Sequence, residues 1–278
     1  MLSLQFGAAI ATHLFDDVGA AGASALRLGL AAVVLLAWGR PDVRSWSPDR
    51  RRSVVRLGVA MAFMNAAFYV AVSRLPLGAA ITIEFLGPLT LAVVLTRRAR
   101  ELVWVALALG GVVLLAVGQH GLVGGPLDPW GVVAALVAAA FWAGYIVAGS
   151  RLATTEPGID SLAGACTVAA VLVVPFGIAS SGSALLDGRV LLLGLGMALL
   201  ASVVPYSLEI RALERMAKRT FSIFVALEPA IGALVGLVVL DQHLGAVSVV
   251  GIALVVVAGV GATATAPAGQ PSLLPESA

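Results

Sequence analysis

Ile83-Glu84-Phe85-Leu86-Gly87-Pro88 and Leu227-Glu228-Pro229-Ala230 are the stretches that decide the fold, because each sets a carboxylate and a helix-breaking proline inside a long apolar run. A carboxylate at the bilayer centre costs roughly 2.5–3.5 kcal/mol on insertion scales, so one kept there marks a functional site. The two stretches also share a register. Displacing the chain by 141 residues lays Pro88 on Pro229, Gly110 on Gly251, Gly118 on Gly259, Ala71 on Ala212 and Arg74 on Arg215. The acids do not coincide: Glu84 falls on Val225, and Glu228 on Gly87. One backbone frame carrying two differently placed acids predicts distinct roles, substrate contact for Glu84 and gating or protonation for Glu228.

The composition around them is that of an integral membrane protein, with 60% hydrophobic and 12% charged residues and a mean hydropathy of +1.03. Spanning helices need about 20 mainly apolar residues. Stretches of this kind run over 20–39, 54–73, 77–96, 102–118, 130–149, 159–180, 190–209, 220–240 and 244–264. They are too long for barrel strands and lack the alternation a lumen requires. Leu2–Phe15 is apolar but short, has no basic flank and ends on Asp16-Asp17, so it reads as the second half of a first helix rather than a signal peptide. The expected fold is therefore an all-α, ten-span bundle whose first span is truncated in this chain. An odd number of spans per copy makes it a five-plus-five inverted repeat over 1–125 and 126–265, followed by a disordered cytoplasmic tail, 266–278.

Charge placement sets the expected orientation. Fourteen of the 17 basic residues fall in Arg40–Arg56, Arg97–Arg100, Arg151 and Arg211–Arg219, which occupy alternate connections; the remaining connections hold Arg74 and Arg189. The positive-inside rule then puts the basic connections and both termini in the cytoplasm of a bacterial inner membrane. The same rule accounts for Arg50-Arg51-Arg52 without a nucleic-acid partner. Cys166 is the lone cysteine, so an internal disulfide is excluded.

Polar residues within the spans supply the candidate site. Pro88 lacks an N–H, which frees the carbonyl of Glu84; Pro229 does the same to Val225 and pushes Glu228 out of αR geometry. Irregular backbone at this depth is tolerated only against protein or a water-filled cavity. The bland alternative is a pair of packing kinks, with each glutamate paired to Arg27 or a tyrosine. Arg27 lies deep in the second span, where it holds an acid, binds a substrate carboxylate through its planar fork, or snorkels to an interface. Asn65 and Tyr69 share one face of a helix, as do Trp142 and Tyr145, and Tyr206 and Glu209. Asn65, Tyr69, Tyr145 and Tyr206 are candidates for substrate binding; Trp142 and Glu209 read equally as interface residues. His13 reads as a packing residue of the first span. His120 and His243 fall in loops. The sequence has no clustered metal ligands, P-loop, dinucleotide fingerprint or nucleophile elbow, so neither cofactor, metal nor enzymatic chemistry is expected.

Gly22-Ala23-Ser24-Ala25-Leu26-Arg27-Leu28, Met64-Asn65 to Tyr69, Leu75-Pro76-Leu77-Gly78, Glu84-Phe85 with Gly87-Pro88, Pro205 to Glu209, and Arg219-Thr220-Phe221 with Glu228-Pro229-Ala230 carry a resemblance. The chain resembles the EamA-type branch of the drug/metabolite transporter superfamily, most of all the bacterial threonine/homoserine exporters. The resemblance covers about residues 3–264 and implies ten spans in an inverted repeat and export of small metabolites. It also implies a first helix beginning some twenty residues earlier than Met1.

The function expected is alternating-access export of small amino acids or related metabolites, with the substrate held near Glu84, Glu228, Asn65, Tyr69 and Tyr206. A shielded glutamate is suited to exchange a proton as the cavity changes sides, although facilitative exchange would use the same residues. Two rivals stay open: efflux of hydrophobic cationic drugs, which two carboxylates and cavity aromatics would suit, and a membrane protein without transport activity.

Overall fold

The computed structural model describes residues 2–96, 102–118, 127–155, 158–205 and 225–265. Their regular elements are helical: α1 (Leu2–Thr12), α2 (Phe15–Gly39), α3 (Pro48–Val72), α4 (Leu77–Glu84), α5 (Leu86–Thr96), α6 (Leu102–Gly118), α7 (Pro129–Thr155), α8 (Ile159–Ser181), α9 (Gly188–Ala198), α10 (Glu228–Leu240) and α11 (Ala246–Thr265). Among the described residues five helices are long and apolar enough to cross a membrane, and five shorter apolar helical segments accompany them. The described parts of the apolar stretches named above are thus predominantly helical, and the chain is a multi-pass membrane protein; residues 206–209 and 220–224 of two of those stretches lie outside the described residues. Its outer face confirms the solvent: Phe176, Leu192 and Val238 are 72%, 70% and 73% exposed, a surface that only lipid covers without cost.

Local chemistry explains the helix ends. Ser47 caps α3 by accepting from Arg50 N at 3.1 Å, with Pro48 at the first helical position. The Asp187 carboxylate accepts from Arg189 N and Val190 N to start α9, and Asp128 Oδ1 accepts from Trp130 N to start α7. Gly19, at φ +62°, breaks α2 near its beginning, so the regular helix runs from Ala20. His13 corrects an expectation: it stands exposed on the turn between α1 and α2 instead of packing within a span, because α1 ends at Thr12.

The helices pack in pairs that bring distant sequence together. α2 lies along α8, α3 along α7, α6 along α11, and α4 against α10. Small residues make these approaches possible. A Cβ on Gly111 would come 2.5 Å from the Gly251 carbonyl, and one on Gly251 2.6 Å from the Gly111 carbonyl, so α6 and α11 approach backbone to backbone. Among the described residues the two ends of the bundle differ in charge. Arg40 to Arg56 and Arg151 lie at the end where Gly39 meets Asp160; Arg74 and Arg189 lie at the other, where Ser181 Oγ donates to Val18 O. Arg97–Arg100, Arg211–Arg219 and the tail 266–278 lie outside the described residues.

Candidate functional site

Two broken helices position the acids. The regular helix is interrupted by turn residues at Phe85, between α4 and α5, and at Ala226-Leu227, just before α10, with Phe85 (φ −62°, ψ −16°) and Leu227 (φ −83°, ψ −6°) still in the αR region. The prolines sit in the first turn of the second half-helix, Pro88 as the third residue of α5 and Pro229 as the second of α10. A missing N–H costs nothing there. This corrects one expectation: Glu228 is the opening residue of α10 and not a non-helical one, and the turn residues are the two before it, with Leu227 itself near αR geometry. Phe85 N still reaches Ile81 O at 2.9 Å, so the first break is a narrow one.

The breaks meet each other. Phe85 and Ala226 belong to one buried cluster with Leu86, Leu89, Val255 and Ala258. A Cβ on Gly259 of α11 would lie 2.8 Å from Phe85 Cε1 and 2.9 Å from Ala226 Cβ, so Gly259 is the floor on which both rest. Trp142 closes the cluster from α7, edge-on to Phe85 at 6.2 Å between ring centroids.

Arg27 is the centre of the charged arrangement. Only 6% exposed, it does not snorkel to an interface. Its Nη2 donates to Ala201 O at 2.8 Å and its Nε to Ser202 Oγ at 3.3 Å. The guanidinium lies 5.7 Å from the centroid of the Tyr69 ring, a cation–π contact. Glu84 is within electrostatic range of both Arg27 and Glu228. One guanidinium and two carboxylates therefore share a low-dielectric interior, where charges interact far more strongly than in water. Glu84 is half-buried and Glu228 buried.

The polar surround is partly as expected. Asn65 and Tyr69 are buried one turn apart on α3, Asn65 donating from Nδ2 to Met61 O at 2.8 Å. The Tyr69 hydroxyl is buried and meets no partner at hydrogen-bond geometry among the described residues, and the same holds for Ser24 one turn before Arg27. Tyr145 is half-buried against the cluster containing Met61 and Val203. Tyr206 and Glu209 lie outside the described residues.

Sequence reasoning missed the support behind Arg27. Leu199–Val203 continue α9 as a π-helical turn, with Val204 N reaching back to Leu199 O. Widening the ladder turns two carbonyls aside: Leu200 O accepts from Ser3 Oγ, and Ala201 O accepts from Arg27. Ser202, a single hydroxyl in the apolar run from Leu191 to Val204, was the one signal available for this feature. Among the described residues no cluster of acids, histidines and cysteine has a metal-binding arrangement.

Comparison with known proteins gives concordant relationships. The EamA-like transporter family pattern matches residues 129–263. The threonine/homoserine exporter RhtA of Salmonella typhimurium is 37% identical over 266 residues, 95% of this chain and 89% of the relative. The protein of that name in Escherichia coli is 38% identical over the same shares. A solved crystal structure matches with a TM-score of 0.60 at 20% identity, covering 94% of this chain and 95% of its own, which speaks for the fold alone.

Proposed function

The chain belongs to the EamA-like transporter family, and we propose that it exports small amino acids of the threonine or homoserine kind across a bacterial inner membrane by alternating access. The observation that carries this reading is the convergence of Arg27, Glu84 and Glu228 beside two broken helices. A zwitterion needs a cation for its carboxylate and an anion for its ammonium, and both lie here in one desolvated place. Arg27, held by Ala201 and Ser202, takes the carboxylate; Glu84 takes the ammonium; Asn65, Tyr69, Tyr145 and Tyr206 shape the cavity and meet the side-chain hydroxyl. Glu228, at the mouth of α10, gates the cavity and exchanges a proton. Pro88 and Pro229 fix where the gating half-helices begin.

The site lies between two inverted five-span halves, 1–125 and 126–265, with both termini cytoplasmic. Three features support that division. The helix interruption at Phe85 lies 141 residues before the one at Ala226. α2 pairs with α8 and α6 with α11, helices in equivalent places of the two halves. Gly111 and Gly251 approach each other reciprocally. Efflux of hydrophobic cations is the second reading, favoured by the two carboxylates and by Tyr69 and Trp142; the buried Arg27 weighs against it.

The test is uptake of a labelled amino-acid panel into inverted vesicles from expressing cells, with and without an imposed pH gradient. Threonine or homoserine uptake that rises with the gradient supports the whole proposal. Uptake indifferent to the gradient removes proton exchange, and ethidium resistance without amino-acid uptake selects the cation reading.

A further inference from the structure

Two ion pairs outside the central cluster stand in matching places. At the basic end, Arg50 in the first turn of α3 donates through Nη2 to Asp160 in the first turn of α8, and to Ser161 Oγ at 2.8 Å. Its guanidinium lies 4.7 Å from the Trp46 ring centroid. Trp46 is itself buried against α8, where a Cβ on Gly164 would come 2.6 Å from the indole. At the opposite end, Arg189 in the first turn of α9 faces Asp17 in the first turn of α2, with Nη1 3.5 Å from Oδ2. The 141-residue displacement carries Arg50 to residue 191 and brings Asp160 back to residue 19. Arg189 and Asp17 each lie two residues before those positions. Each pair therefore ties the third helix of one half to the second helix of the other, one pair at each end of the bundle.

The two pairs differ in tightness. The side chains of Arg50 and Asp160 are 13% and 31% exposed, whereas those of Arg189 and Asp17 are 70% and 37% exposed. A shielded pair stacked on an aromatic ring outweighs an open pair at 3.5 Å, which solvent and salt screen. We propose that the pairs are reciprocal latches of the transport cycle: Arg50–Asp160 holds the basic end shut in this conformation while Arg189–Asp17 stands slack, and the two exchange tightness as access changes sides. The proposal rests on the two-halved exporter reading, because an inverted frame is what makes the two ends alternatives. Weakening the basic-end latch then shifts the population toward closure at the far end.

The experiment reads one end while perturbing the other. In a Cys166→Ser background, cysteines beside the far-end pair, at exposed Asp16 and at Gly188, where a Cβ meets nothing within 4 Å (D16C with G188C), leave Asp17 and Arg189 in place and are cross-linked in intact membranes with a short bifunctional methanethiosulfonate. Arg50→Ala and Asp160→Asn should each raise the cross-linking rate several-fold over the parent, and the charge swap R50D with D160R should bring it back. A merely local role for Arg50 would not move a rate measured across the bilayer. If Arg50→Ala fails to accumulate, the isosteric Asp160→Asn carries the same prediction. Unchanged rates in inserted protein overturn the latch, whether or not the cells export amino acids. Rates that respond as expected while no amino acid is exported retain the latch and remove the substrate reading.

Discussion

Gly259→Ala tests how the two helix breaks are held together. The added methyl would lie 2.8 Å from Phe85 Cε1, 2.9 Å from Ala226 Cβ and 3.0 Å from Phe85 Cζ. Phe85 is 4% exposed and Ala226 1%, and Trp142 stands edge-on to the Phe85 ring, so neither neighbour has room to yield. Alanine gains about 1 kcal/mol over glycine in a helix interior, and overpacking costs about 1–3 kcal/mol. The net change is a loss of up to about 2 kcal/mol. Gly110→Ala is the control, because its Cβ meets nothing within 4 Å and the propensity gain is kept. The difference between the two variants is then the overpacking cost, about 1–3 kcal/mol. Thermal unfolding of the purified proteins side by side in one detergent measures it. Phe85→Leu in the Gly259→Ala background should recover part of the loss by removing the ring edge. A Gly259→Ala protein that melts with or above Gly110→Ala would refute the contact at the breaks.

Other expectations concern Arg27 and the helix ends. Arg27→Lys keeps the charge but gives up the fork that serves Ala201 and Ser202 together; with about 1.5–3 kcal/mol for a hydrogen bond from a charged donor, amino-acid uptake should fall at least tenfold, and uptake at the parent level would exclude Arg27 from the site. Ser202→Ala removes the weaker, 3.3 Å bond and should raise KM severalfold with little change in maximal rate, which concentration series in vesicles would read. The Arg74 guanidinium, 2.8 Å from Asp128, with the Trp130 N–H, holds the Asp128 carboxyl below its usual range. Its contribution is therefore present above the unfolded value of about 3.9 and is lost as pH falls through the lower folded value. Hydrogen exchange at the start of α7 should stay protected until pH drops below about 4, and Asp128→Asn should abolish that pH dependence.

Much of this was legible because the bilayer imposes long apolar runs and makes each buried charge conspicuous. The spans and the register of Pro88 with Pro229 could be read directly, and so could the candidacy of Arg27, Glu84 and Glu228. The exact site of each break could not: a proline within the first turn needs no N–H, so it marks where a half-helix begins, and the turn residues precede it at Phe85 and at Ala226-Leu227. The π turn at Leu199–Val203 left no pattern beyond Ser202, since one added residue per turn disturbs neither composition nor hydropathy. The exposed position of His13 likewise depended on where α1 ends, which an apolar count does not settle.

The most direct measurement is threonine uptake by inverted vesicles carrying Glu84→Gln or Glu228→Gln, beside the parent protein at matched membrane levels. Loss of the ammonium partner should depress Glu84→Gln at least tenfold at every pH. Glu228→Gln should retain exchange of internal for external threonine while losing its response to a pH gradient. Parent-like uptake and gradient response in both variants would contradict a site built on these two acids.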